Sequence, residues 1–492
     1  MPLIPLAIPP GVYRNGTDLQ AANRWRDANL VRWHEGALRP VGGWRRRDTI
    51  DVTGTPRGML TWQDNGANRY IAVGTAAKLY SINSSNVVSD ITPNGFTAGR
   101  LSAAANTGYG GGNYGDLTFG TARPDAGSLL DATTWALDTW GEYLVGTTPD
   151  DGRLYEWTLN SANKAALIAN APTSCRSLMV TEERFLFALG AGGNPRKIAW
   201  SGRENNTLWT PSTTNEAGDI ELQTSGRIMA GVRTRGQALL LTDQDAHTAS
   251  YVGPPYVYGF ERAGTSCGLI ATKAVEVIDA GVIWMGRRSF FIYSGGSVQE
   301  IPCDVGDYVF SDMNMSQISK IHAVKNSAWS EIWWFYPSGS STECDRYVSY
   351  NYVTNVWMIG VLSRTSGVDR GIFRFPMWFD PDGVLYEHEF GYSHGGLVPY
   401  IESGPIFSGN GDSIISAVEL IPDEKTQGDV QAKFKTRFYP NDVEREFGPY
   451  SMANPTPVRF TGRQLRMRVE GLRNVDWRVG LMRLDVRPGG TR

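Results

Sequence analysis

Apolar residues in the middle of the chain fall into short runs that recur about every 43 to 53 residues. Each unit holds an apolar stretch, a turn and a second apolar stretch, and often a third that closes on an aromatic. The copies begin with Met59–Trp62, Tyr70–Val73 and Lys78–Ile82; Trp135, Glu142–Gly146 and Arg153–Trp157; and Ser177–Thr181, Arg184–Leu189 and Lys197–Trp200. They continue with Ile228–Val232, Gln237–Thr242 and His247–Val252; Val275–Ile278, Val282–Gly286 and Ser289–Tyr293; and Ile321–Val324, Glu331–Tyr336 and Arg346–Tyr352. A seventh, Gly371–Phe379 with Val384–Phe390, turns at Asp380-Pro381-Asp382-Gly383. Runs this short, bounded by turn residues, read as strands. A unit this small cannot bury its own faces, so the units must stack, and radial stacking of small sheets is a β-propeller. The pattern predicts an all-β fold: a propeller of six or seven blades over residues 51–405, an extended N-terminal arm over 1–50, and a C-terminal β-rich domain over 406–492 for subunit or adaptor contacts.

The interruptions of the repeat are as informative as the repeat. The arm opens on a stretch broken by Pro2, Pro5, Pro9 and Pro10, and Leu19–Leu30 reads as a short helix. Arg14, Arg24, Arg26, Arg32, Arg39, Arg45, Arg46 and Arg47 make it the most basic part of the chain. That charge is either a solvated face balanced by Asp18, Asp27 and Glu35 or a surface for an acidic neighbour or DNA. Between the first and second copies the spacing stretches to about 72 residues and holds a Gly-rich passage with Tyr109 and Tyr114. It lacks the Gly-Lys-Ser/Thr ending of a phosphate-binding loop and reads as a surface or subunit-contact loop. Near the C-terminus, Ala417–Leu420, Val430–Phe438, Val458–Phe460, Gln464–Val469 and Trp477–Val486 read as strands without blade spacing. In Gln464–Val469 apolar residues alternate with Arg466 and Arg468, so one face packs and the other meets a partner or solvent.

Composition narrows the functional classes. A formal net charge of −3 argues against bulk electrostatic capture of nucleic acid. Of 47 basic residues, 38 are Arg, which suits permanent protein interfaces but equally a GC-rich coding genome. Cys175, Cys267, Cys303 and Cys344 are far apart with no CxxC, which predicts reduced core thiols and fits assembly in a cytoplasm. The N-terminus lacks the basic lead of a signal peptide, and no stretch approaches the roughly 20 apolar residues of a membrane span.

Propellers often hydrolyse glycosides, which takes two carboxylates about 5 to 10 Å apart across a sugar. The sequence offers Asp304 with Asp307, Asp380 with Asp382, and Glu387 with Glu389, and places none of them on a propeller axis. His34, His247, His322, His388 and His394 provide one near pair, His388 with His394, and no HExxH. GxSxG nucleophile elbows and known nucleic-acid-binding motifs are absent too. No catalytic, cofactor or metal residue is predicted, and the residues singled out as interface candidates are Arg45, Arg46, Arg47, Tyr109, Tyr114, Arg466 and Arg468.

Several passages resemble tail structural proteins of tailed bacteriophages. They are Ile8-Pro9-Pro10-Gly11-Val12-Tyr13-Arg14-Asn15-Gly16-Thr17 followed by Trp25–Trp33; Arg196–Ser201 running on to Leu208–Pro211; Tyr251–Pro255; and Glu331–Pro337. They are scattered between residues 8 and 337. The layout of arm, propeller and C-terminal β domain resembles the tail nozzle, or packaged-DNA stabilisation protein, of short-tailed phages. The resemblance implies a virion protein: a homo-hexameric ring below the head-to-tail adaptor that extends the DNA exit channel, retains packaged double-stranded DNA and docks fibres or spikes. Duplex DNA carries one charge per about 1.7 Å, so a strongly basic bore would clamp it, whereas a weakly acidic chain lets it slide. The alternatives are a propeller glycoside hydrolase or depolymerase on the virion, and a fibre- or receptor-binding propeller module.

Overall fold

The computed structural model describes residues 3–105, 129–407 and 413–489. Tyr109 and Tyr114 lie outside the described residues. Seven four-stranded antiparallel sheets follow one another along the chain. Blade 1 runs from an inner strand Pro56–Gln63 to an outer strand Val88–Asp90, blade 2 from Ala136–Trp140 to Ala166–Leu167, and blade 3 from Ser177–Val180 to Gly218–Glu221. Blade 4 runs from Ile228–Thr234 to Val257–Thr265, blade 5 from Val275–Ile278 to Ser297–Ile301, and blade 6 from His322–Asn326 to Val356–Val361. Blade 7 holds Ser366–Val368, Met377–Phe379 and Val384–His388, and takes its outer strand, Trp44–Asp51, from the N-terminal region. Each inner strand touches the next, and that of blade 7 touches that of blade 1, so the ring closes at seven blades.

In blades 1 to 6 the three apolar runs of the sequence repeat correspond to the first three strands, and the two runs of the seventh copy correspond to the second and third strands of blade 7. Those strands are covered on both faces by neighbouring blades, so both faces carry apolar residues. Trp62, Trp135 and Trp157 fill the wedge between blades 1 and 2. Phe187, Trp200 and Tyr258 fill that between blades 3 and 4, and Trp333, Phe335 and Trp378 that between blades 6 and 7. Large aromatics suit this geometry because wedges widen outward and each ring buries about 150–250 Å². Some fourth strands escape the periodicity because they carry few buried residues: Ala166–Leu167 is open to solvent throughout, and Val257–Thr265 buries only its first two residues.

Residues 3–50 are not a free arm. Trp44–Asp51 pairs antiparallel with Val384–His388 and so locks the last blade onto the first segment of the chain. Ile50 and Val52 are buried against Met377, Phe379 and Leu385, while Arg45 reaches across to Glu387 at 2.7 Å. The boundary expected at residue 50 therefore cuts through blade 7. The helix expected over Leu19–Leu30 is a single 3-10 turn, Leu19–Ala21, followed by the strand Trp25–Asn29. Asn23 (φ 56°) and Leu30 (φ 53°) sit in the left-handed region, which a right-handed helix cannot accommodate.

The C-terminal strands form two sheets, each completed by an N-terminal strand. Leu3–Pro5 joins Arg483–Pro488, Ile415–Ile421 and Thr456–Gly462. Trp25–Asn29 joins Tyr400–Ser403, Gln464–Gly471, Val430–Arg437 and Arg445–Ser451. The sheets face each other, with Phe434 of one 4.8 Å from Phe460 of the other between ring centroids. Their apolar filling is continuous with that of blades 4 to 6.

Candidate functional site: the channel mouth and the domain joint

The seven inner strands surround a central channel. Their leading ends form one mouth, and Ser102, Ala103, Asp131 and Ala132, from the chain between blades 1 and 2, bind residues around it. Asp131 accepts from Arg227 at 3.2 Å and faces Arg176 at 3.6 Å, at the starts of blades 4 and 3. On the other side, Ala132 N–H donates to Ser319 Oγ at 3.0 Å, and Ala103 exchanges hydrogen bonds with the Gln317 amide at 3.0 and 3.2 Å, both just before blade 6. Lys320 Nζ joins Ser102 Oγ (2.9 Å) to Glu343 (2.7 Å), and Glu343 also receives Arg57 Nη2 at 2.6 and 2.5 Å. The mouth is thus bridged from blades 3 and 4 to blade 6.

Inside, a chamber of about 390 Å³ is lined by the inner strands of blades 1, 5, 6 and 7, with Arg57, Lys273, Glu276, Lys320, His322 and Lys325 on its wall. Burial pushes the Lys273 ammonium down to about 8 and the Glu276 carboxyl up to about 7. Burial, helped by the nearby Arg57 guanidinium, takes His322 down to about 3, so its ring is neutral. At the opposite mouth a groove of about 1000 Å³ opens between the turns of blades 4 and 5, with Arg233 held by Asp138 at 2.8 Å.

The second feature is the joint between propeller and sandwich, made by residues 11–42. Val12 N–H donates to Trp357 O at 2.8 Å, Arg14 N–H to Asp304 O at 2.7 Å, and Leu30 N–H to Tyr347 Oη at 2.8 Å. A hairpin of Val31–His34 and Ala37–Pro40 then reaches the sandwich, where Leu38 and Val479 exchange backbone hydrogen bonds at 2.9 Å. Its Arg32 points the other way, into the propeller. Arg32 is buried and donates to Glu331 at 2.9 Å and to both oxygens of Glu389 at 2.6 and 3.0 Å. Glu389 also accepts from Asn326 Nδ2 (2.8 Å), Trp329 Nε1 (3.1 Å) and Gly42 N–H (3.1 Å). Burial raises both carboxyls; the paired guanidinium and three further donors still leave Glu389 below its ordinary value, while Glu331 stays above it. The approach at Gly360 is close enough to require glycine, because an added Cβ would lie 2.4 Å from Tyr347 Oη and 2.5 Å from Asn29 Oδ1.

The Arg candidates divide by what they touch. Arg45 and Arg46 sit on the outer strand of blade 7 with about half of each side chain exposed, even while bonded to Glu387 and Asp51. Arg47 is drawn inward towards Asn86 Oδ1 (2.6 Å) and Glu387. The alternation in Gln464–Gly471 puts Leu465, Met467 and Val469 in the core, as expected. The opposite face is internally neutralised. Arg466 pairs with Asp18 and Glu444, and Arg468 with Glu470 and Glu402 while lying 3.6 Å over the Tyr400 ring. Lys433 and Lys435, on the adjoining strand, bind Glu470 and Glu402 at 3.1 and 2.9 Å. Sequence reading found the cations of this face but missed its acids, because Asp18 and Glu402 come from remote parts of the chain.

Of the carboxylates considered for hydrolysis, all but Asp382 bind other groups of the fold. Asp304 binds Arg24 at 3.1 Å and Asp307 accepts from Gly16 N–H at 3.2 Å. Asp380 caps its own turn through Asp382 and Val384 N–H groups, and Glu387 and Glu389 hold the arginines named above. His388 accepts from Arg364 Nε at 2.9 Å and stacks on Trp378, while His394 Nε2 donates to Val41 O at 2.9 Å. The four thiols are unpaired; burial pushes Cys267 up to about 11 and the others to about 12. Among the described residues no group of three His, Cys, Asp or Glu side chains is placed to hold a metal, and no helix is long and apolar enough to cross a membrane.

No protein-family model matches the chain, and neither does any curated protein sequence. Among solved structures it is similar to virginiamycin B lyase from Staphylococcus aureus (TM-score 0.43, 9% identity, 68% of this chain and 94% of that one). It is also similar to the WD40 domain of Neurospora crassa Pan2 (TM-score 0.38, 7% identity, 72% and 95%). A third is exo-beta-1,3-galactanase from Phanerochaete chrysosporium (TM-score 0.32, 12% identity, 91% and 100%). These scores carry no inference about activity; the propeller rests on the strand order and the closed ring of inner strands.

Proposed function

We propose that the chain is a structural subunit of a bacteriophage tail, a nozzle or hub ring of six copies below the head-to-tail adaptor that extends the DNA exit channel, retains the packaged genome and docks fibres. The observation that carries this reading is the use made of residues 8–33, which hold one of the passages that resemble tail structural proteins of tailed bacteriophages. That passage is the joint between propeller and sandwich, fastened at Val12, Arg14, Leu30 and Arg32. A conduit wall pushed outward by packaged DNA must not hinge, and strands shared between two bodies resist hinging better than a linker would. The propeller's own channel holds a chamber of only about 390 Å³ and is bridged at one mouth, so a duplex must pass between copies and not through one. A ring of heterologous contacts meets that need, because each copy presents one face to a different face of the next. In each carboxylate pair on which a hydrolase reading would stand, at least one member already binds another group of the fold.

The test is negative-stain imaging and native mass spectrometry of the chain assembled with its virion. Six copies in a ring with an open bore are expected; a monomer in assembled particles overturns the proposal.

A further inference from the structure

The chamber in the propeller channel contains buried polar atoms with nothing to bind. Arg57 uses Nη2 on Glu343, but its Nε and Nη1 have no partner among the described residues, although the side chain is only 1% exposed. His322 is 5% exposed, and its Nε2 has none either. Lys273, whose carbonyl accepts from Ala323 N–H beside His322, is half-buried and so not itself orphaned, and adds an ammonium with no side-chain hydrogen bond or ion pair among the described residues. Native interiors rarely leave such groups unsatisfied, so each calls for an explanation such as an ion or water.

Chemistry narrows what would satisfy them. Five cations line the chamber, Arg57, Lys273, Lys320, Lys325 and Arg370, against the two acids Glu276 and Asp369. Glu343 serves both Arg57 and Lys320, so positive charge remains in surplus. His322 adds an acceptor. Its Nδ1 lies 3.3 Å from Lys320 O, and a carbonyl can only accept, so Nδ1 carries the proton and Nε2 presents a lone pair. An ion suited to this wall must offer negative oxygens to Arg57 and Lys273 and a hydroxyl to His322.

We propose that the channel chamber is a binding site for a small oxyanion that carries its own proton, with hydrogen phosphate or a small phosphomonoester as the ligand class. The volume suits such a ligand, near the lower bound of about 300 Å³ for small-molecule pockets. Guanidinium and ammonium donors hold the anionic oxygens by charge-assisted hydrogen bonds. Sulfate, fully deprotonated at neutral pH, matches the cations but sets an oxygen lone pair against Nε2, so it should bind more weakly. The site stands apart from the tail reading and does not depend on it.

The experiment is titration calorimetry of the full chain with inorganic phosphate, with sulfate, and with a 5′-phosphorylated oligonucleotide. Phosphate is expected to bind with a dissociation constant of about 1 mM or tighter. Sulfate should bind at least tenfold more weakly, and the oligonucleotide, too large for the chamber, should not compete. Lys273→Met removes no hydrogen bond of the fold, and is expected to keep the melting temperature while weakening phosphate at least tenfold; Arg57→Lys serves as a second variant. No phosphate binding, equal affinity for sulfate, competition by the oligonucleotide, or unchanged affinity in folded Lys273→Met would each overturn the proposal.

Discussion

Arg32→Met tests whether the N-terminal hairpin fastens the two bodies of the molecule. The side chain is 3% exposed and is the only cation bonded to Glu331 and Glu389 among the described residues. Methionine fills similar volume but leaves two buried carboxyls without their counter-ion, a change that costs about 3–5 kcal/mol when a buried pair is broken. Glu389 keeps its donors from Asn326, Trp329 and Gly42, and Glu331 keeps Trp333 Nε1 at 3.0 Å, so the lower half of that range applies. For a chain of this size about 3–4 kcal/mol corresponds to a fall in melting temperature of roughly 3–4 °C. The pH dependence should invert. In the wild type Glu389 lies below its ordinary value, so its contribution is present above the unfolded pKa and lost as pH falls through the folded one. In the variant burial without the guanidinium holds both carboxyls above their ordinary values, so acid stabilises the variant and the gap to wild type narrows as pH falls. Urea unfolding followed by tryptophan fluorescence measures both effects, and adding Glu331→Gln to the variant should recover about 1–2 kcal/mol. A loss below about 1 kcal/mol, or a gap that ignores pH, would refute the reasoning.

Three further outcomes are expected. Arg466→Ser with Arg468→Ser removes an arginine partner from each of Asp18, Glu402 and Glu470, which keep Arg26 and Arg437, Lys435, and Lys433 respectively, and should destabilise the sandwich itself by about 1–2 kcal/mol in urea melts; unchanged stability with lost particle assembly would instead mark this face as a partner contact. Glu276→Gln removes a carboxyl whose folded value of about 7 stands above its ordinary 4.5, so the wild type loses stability as pH rises between those values. The variant should therefore gain about 1–2 kcal/mol at pH 8 and nothing at pH 4, and an equal effect at both would exclude the shift. Deleting residues 1–51 removes the outer strand of blade 7 together with a strand from each sandwich sheet; size-exclusion chromatography and circular dichroism should show aggregation, and a monodisperse chain with an unaltered melt would contradict the closure.

The repeat was legible because a blade strand covered on both faces must be apolar on both, and Trp333–Tyr336 or Leu239–Leu241 announce that burial locally. Trp44–Asp51 did not announce itself. An outer strand has one wet face, so Arg45, Arg46 and Arg47 disguised a ring-closing element as a basic arm. Likewise, alternation in Gln464–Val469 revealed which side packs, yet it could not supply the acids opposite Arg466 and Arg468. The orphaned atoms of Arg57 and His322 leave no mark on their local sequence, since being unpartnered depends on every chain segment nearby.

Local patterning alone thus determined that this protein is a propeller with a separate β-rich end, because strand burial is written in period and composition. Blade number, the threading of residues 3–51 through both bodies, and the bridged, cation-lined channel were decided by tertiary structure alone. Each depends on pairing between residues far apart in the chain, such as Trp44 with His388, Arg32 with Glu389, and Asp131 with Arg227. Long-range pairing of this kind is set by the closing of the ring and the seating of the sandwich, and periodicity within a short window does not encode it.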